Sequence, residues 1–176
     1  MESEEGKGSK FHFTIQLEEG ESKENIIPHS LSPLTVKPIL VADDNSVTRE
    51  VIARFLESYS FVVKTVKSGL EVIAELEKGE EEYQLLILDW HMPRLNGIET
   101  LLALKANPRI QTIPPVLLIT AYPSPEIEEM ANKNGVKAIL TKPVTKSSLF
   151  NAIISIFNTN SHLYDSLQAY PSEELF

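Results

Sequence analysis

From Lys37 onward, five short β-branched or leucine-rich runs alternate with five segments of helical periodicity, and this alternation limits the fold more than any other feature of the chain. The apolar runs are Ile39 to Asp43, Phe61 to Val66, Leu85 to Asp89, Val116 to Thr120 and Ala138 to Leu140. The segments between and after them are Val47 to Ser58, Leu70 to Lys78, Ile98 to Ala106, Pro125 to Asn134 and Lys146 to Phe157. Runs without polar alternation suit strands buried on both faces, which predicts an α/β fold with a five-stranded parallel sheet and helices on both of its faces. Helix signals agree: Ser124 precedes a proline at the first helical position, Thr145 can cap the last segment, and Gly135 stops the fourth. Leu101, Leu102 and Leu104, with Ile153, Ile154 and Ile156, read as core faces.

The ends of the runs carry the chemistry. Asp43 and Asp44 close the first, Asp89 the third and Thr120 the fourth, while Lys142 follows the fifth. With the doubly wound strand order 2-1-3-4-5, the first and third strands are neighbours, and ligands bind beyond their carboxyl ends where the order reverses. Three carboxylates brought together raise one another's pKa unless a cation offsets them. The chain has no cysteine and no convincing histidine pair, so the expected ion is a hard one, Mg²⁺ or Mn²⁺, on oxygen ligands. A hydroxyl from Thr120 and an ammonium from Lys142 could then hold a phosphoryl group, with an aspartate as nucleophile. Each group also has a plainer use: Asp44 or Asn45 can cap the helix that follows, a strand-terminal Thr is commonly structural, and a Lys before Pro is commonly a solvated loop charge. Four strand ends carrying complementary groups in order are what favour the pocket.

These stretches, "ILVADDN", "LLILDWHMPRLNGIE", "LLITAY" and "AILTKPV", resemble the receiver domain of two-component response regulators and hybrid sensor kinases over residues 37–158. The resemblance implies a flavodoxin-like (βα)5 fold, Asp89 as phosphoacceptor, and Asp43, Asp44 and Asp89 with the backbone carbonyl of His91 at a Mg²⁺ site. It further implies Thr120 as phosphate contact and switch, and Lys142 as the lysine of the site. Ile139 stands where similar domains usually carry Tyr or Phe as the rotating half of the switch, and Asn96 where they usually carry Asp. Trp90 and the "TKPV" ending are most like receivers fused to histidine kinases. His91 and Tyr122, two residues beyond Asp89 and Thr120, are positioned to tune water access to an acyl phosphate.

Residues 1–17 differ in kind: a polar, glycine-containing start gives way to Phe11, Phe13, Ile15 and Leu17 alternating with polar residues, one half-buried strand. "EGKGSKFHFTIQL" resembles the last glycine box and final strand of a histidine-kinase ATP-binding domain, so the expected organisation is a kinase remnant at 1–17, a linker at 18–36, the receiver at 37–158 and a tail at 159–176. His12, His29 and His162 carry no expected role, and Glu80 to Glu82 read as a solvated turn. A net charge of −9 without a basic stripe argues against nucleic acid. The absence of an apolar signal core or spanning run points to a cytoplasmic fragment without membrane contact, from a parent that could be membrane-anchored.

The expected partners are the phosphohistidine domain of a kinase and, as a candidate, a His-containing phosphotransfer domain. Such a domain catalyses its own phosphorylation and dephosphorylation rather than turning over a substrate. Two other classes compete: a docking module that uses the fold without phosphorylation, and a metal-dependent phosphatase with an aspartyl nucleophile. Against the latter, "ADDNS" and "LDWHMP" lack an Asp-x-Asp at one strand end.

Overall fold

The computed structural model describes residues 2–4, 8–10, 14 and 37–158. Near the N-terminus β1 (Glu2–Glu4) pairs antiparallel with β2 (Gly8–Lys10), Glu2 opposite Lys10, a pairing that the polar sequence does not foretell. The alternation from Phe11 to Leu17 lies outside the described residues except for Thr14, as do the linker at 18–36 and the tail at 159–176.

The larger sheet contains β3 (Ile39–Ala42), β4 (Val63–Val66), β5 (Leu85–Asp89), β6 (Val116–Thr120) and β7 (Ala138–Thr141), ordered β4-β3-β5-β6-β7 and parallel throughout. Counted among themselves these strands run 2-1-3-4-5, the expected flavodoxin-like order. Successive strand residues face opposite sides. Ile39 and Val41 therefore share one core with Ile87, Leu117 and Ile119 under α1 (Ser46–Glu57) and α5 (Lys146–Asn158). Leu40, Ala42, Leu86, Leu88 and Leu118 form the other under α2 (Gly69–Lys78), α3 (Gly97–Ala106) and α4 (Pro125–Lys133). Burial of β3, β5 and β6 on both faces is why these runs show no polar alternation.

Differences from the sequence reading have local causes. The second strand begins at Val63 rather than Phe61, because Ser60 takes a left-handed conformation and the Phe61 N–H closes the end of α1 on the Leu56 carbonyl. Phe61 is nonetheless buried in the core. Leu102, expected in the core, faces outward on α3, whereas Leu101 and Leu104 are buried. The caps fall as expected at Ser124 and Thr145, and Gly135 follows α4 with a positive φ. Among the described residues no helix is long and apolar enough to cross a membrane.

Candidate functional site

Where β3 ends, the chain must turn from strand to helix, and the acidic pair sits in that turn. The Asp43 N–H makes a long 3.4 Å bond to the Val66 carbonyl, the last trace of the ladder. Asp43 Oδ1 accepts the Asn45 N–H at 2.8 Å. Asn45 in turn caps α1, its side-chain oxygen accepting from Val47 and Thr48. The cap thus belongs to Asn45, and Asp44 is left with an exposed carboxylate free for other work.

Asp89 is the last residue of β5, opposite Ile119 of β6, with the following Trp90 N–H bonded to the Ile119 carbonyl. Lys142 leaves β7 with its N–H on the Thr120 carbonyl and is joined to Pro143 by a cis peptide. Its Nζ bridges the two strands, 3.0 Å from Asp43 Oδ2 and 2.9 Å from Asp89 Oδ1. One carboxylate oxygen from each of Asp43, Asp44 and Asp89 lies within 4.8 Å of the others.

The electrostatics follow from this count of charges. Asp43 and Asp89 are only 1% and 4% exposed. Burial pushes the Asp89 carboxyl up; the Lys142 bond pulls it back, Asp43 and Asp44 push it up again, and it ends above the usual carboxylate range. Burial acts to lower Lys142, yet its bonds to Asp89 and Asp43 outweigh this and hold it charged, above its ordinary value. Three carboxylates against one ammonium leave the pocket short of positive charge. Its donors are all hard oxygens and the chain has no cysteine, so the residues fit Mg²⁺ or Mn²⁺.

Thr120 closes β6, is 1% exposed, and accepts the Tyr122 N–H on Oγ1 at 3.2 Å. Tyr122 itself is 83% exposed and His91 is also exposed, so both side chains stand in solvent. Ile139 lies half-buried on β7 against the core under α2 to α4. Asn96 caps α3 in a reciprocal pair with Glu99, its side-chain oxygen accepting the Glu99 N–H as an Asp carboxylate would. Gly97 is obligatory beside it: a Cβ there would stand 2.8 Å from the Asp89 carbonyl oxygen and 2.7 Å from Leu118 Cδ1. The first turn of α3 therefore rests directly on the backbone of Asp89. One residue at the site escapes sequence reasoning altogether: Arg49 Nη1 donates to the Asp43 carbonyl at 2.6 Å.

Comparison with known proteins agrees with this fold. The family described as response regulator receiver domain matches residues 39–154. The terminal-differentiation specific adenylate cyclase of Dictyostelium discoideum is 33% identical over 153 residues, 84% of this chain and 7% of that protein. The autoinducer 2 sensor kinase/phosphatase LuxQ of Vibrio parahaemolyticus is 27% identical over 161 residues, 88% of this chain and 18% of its own length. This chain thus spans less than a fifth of those two relatives. By contrast, the chemotaxis protein CheY-3 of Vibrio cholerae is 31% identical over 120 residues, 68% of this chain and 90% of that one. Among solved structures, a response regulator receiver domain protein from Clostridium thermocellum superposes with a TM-score of 0.63 at 29% identity, covering 73% of this chain and 99% of the other.

Proposed function

Because the chain belongs to the response regulator receiver domain family, we propose that it takes a phosphoryl group from a phosphohistidine onto Asp89 and switches conformation in consequence. The observation that carries this reading is the meeting of Asp43, Asp44 and Asp89 within 4.8 Å, with Lys142 bonded to two of them. A carboxylate oxygen of Asp89 attacks phosphorus, a P–O bond forms as the P–N bond to the donor imidazole breaks, and the electron pair leaves with the imidazole nitrogen, which is protonated. Asp43, Asp44, Asp89 and the backbone carbonyl of His91 would hold Mg²⁺ or Mn²⁺. When bound, that ion offsets negative charge on the transferring oxygens. Lys142 supplies a second cation for the same oxygens, and the buried hydroxyl of Thr120 stands ready to donate to one of them. Thr120 and Ile139 then report the phosphorylated state to the surface at α4, β6 and β7. His91 and Tyr122, both exposed, set how readily water reaches the acyl phosphate.

We assign the chain to a hybrid sensor kinase in a cytoplasmic phosphorelay. Its partners are a phosphohistidine domain and a His-containing phosphotransfer domain, and residues 1–17 would be a remnant of the kinase ATP-binding domain. Alignment with a sensor kinase over 161 residues, more than the family match at 39–154, supports this. The test is intact mass after incubation with Mg²⁺ and acetyl phosphate or a phosphohistidine donor, beside Asp89→Asn. The expected result is a Mg²⁺-dependent gain of one phosphoryl group that disappears in the variant. No gain from either donor would overturn the reading in favour of a docking module that works without phosphorylation.

A further inference from the structure

We propose that Arg49 is a positioning residue for the acidic pair: its guanidinium holds the peptide between Asp43 and Asp44 so that the Asp44 carboxylate is aimed at the metal. The inference rests on the metal-binding reading of the pocket. The ladder of β3 ends at Ala42, whose partners are Val66 and Leu88, so the next carbonyl has no strand to bond. Arg49 Nη1 takes that carbonyl at 2.6 Å from a half-buried position on α1. The oxygen of Asp43 belongs to the same planar unit as the Asp44 nitrogen, so fixing it sets the ψ of Asp43 and the φ of Asp44 together. The Asp43 carboxylate is already held at both oxygens, by the Asn45 N–H and by Lys142. Among the described residues no comparable bond holds the Asp44 side chain, so its direction is inherited from the backbone that Arg49 grips.

Helix stability does not explain the residue. α2, α3 and α4 each carry Glu in the first turn, as the positive end of the helix dipole favours. α1, like α5, has no acid there, and it places a cation at its fourth residue, against that preference. Glu71, at the start of α2, is held below the usual carboxylate range first by the Lys67 N–H and in small part by the charge of Arg49. The guanidinium therefore ties the end of β3 to the first turn of α1 beside the pocket.

The test is a Mg²⁺ titration read by the fluorescence of Trp90, the single tryptophan, with a thermal melt of each protein. Arg49→Met should weaken Mg²⁺ binding about tenfold, the usual cost of losing a group that orients a metal ligand, with the melting temperature little changed. Arg49→Lys should recover part of the loss. In an Asp44→Asn background, Arg49→Met should cost much less, since the carboxylate it aims is gone. An unchanged affinity would overturn the proposal, and so would tighter binding, which is what removing a merely nearby positive charge produces. Equal losses with and without Asp44 would also overturn it. If the native protein binds no Mg²⁺, the metal reading fails first and the role of Arg49 falls with it.

Discussion

Glu75 and Asp89 are buried almost equally, at 7% and 4% exposure, yet burial ends differently for each. Glu75, on α2, has Lys64 at 2.7 Å, Lys78 at 2.8 Å and the Tyr83 hydroxyl at 2.9 Å. Burial pushes its carboxyl up, but the bonds from Lys64, Lys78 and Tyr83 outweigh this and bring it down to about 2. The Tyr83 hydroxyl also lies 2.9 Å from Glu81 and, with one hydrogen, serves one acid at a time. Burial first, and then both acids, hold Tyr83 far above its ordinary value. Asp89 instead shares one ammonium with Asp43 and faces Asp44, and its pKa ends raised. The difference lies in partner count. Glu75 is a closed site that stabilises the fold, whereas Asp89 is left short of positive charge, the condition that the proposed metal binding and phosphoryl transfer call for.

The largest effect that would break this comparison is at Glu75. A shift from 4.5 to about 2 corresponds to about 3 kcal/mol at most, and about 2 kcal/mol once the half-exposed lysines are discounted. Glu75→Gln should therefore destabilise by about 2 kcal/mol in chemical denaturation at neutral pH. Because the folded pKa is depressed, this contribution is complete above pH 4.5 and is lost as pH falls from 4.5 towards 2. The gap between native and variant stability should close over that interval, and a gap that persists would mean that packing rather than charge is at work. Next, Asp89→Asn should stabilise the metal-free protein and raise its melting temperature, because an amide escapes the burial and the repulsion from Asp43 and Asp44 that push the Asp89 carboxyl up. Added Mg²⁺ should raise the native protein more than the variant, shrinking that difference. Smallest is Lys78→Met, expected to cost about 0.5 kcal/mol because Lys78 is half-exposed and Lys64 and Tyr83 remain.

The strands were legible because burial on both faces leaves unbroken apolar runs, and the acids were legible because they stand where those runs stop. Asp43, Asp44, Asp89 and Lys142 meet as their positions in a 2-1-3-4-5 sheet require. What sequence could not separate was Asp44 from Asn45 as helix cap, since both side chains suit the role; the hydrogen bonds give it to Asn45. Glu75 was invisible because a Glu on an amphipathic helix is normally solvated, and its burial depends on Lys64 and Tyr83 arriving from either side of the helix in sequence. Arg49 was invisible for a similar reason: its partner is a backbone carbonyl, which leaves no trace in residue type. Glu80 to Glu82 are exposed as a solvated turn should be, yet Glu82 pairs with Lys37 at 2.5 Å and Glu81 with Tyr83.

The pairing of Lys37 with Glu82 places the entry into the larger sheet. Lys37 is held beside the start of β5 by Glu82 and by Gln84, which donates to its carbonyl, at the end of the sheet opposite Asp89. Because α5 runs back antiparallel to the strands, Asn158 finishes at that same pole. The domain is therefore handled from one end and presents its acidic pocket at the other. Lys37 and Asn158 thus lie at the pole of the sheet away from Asp89.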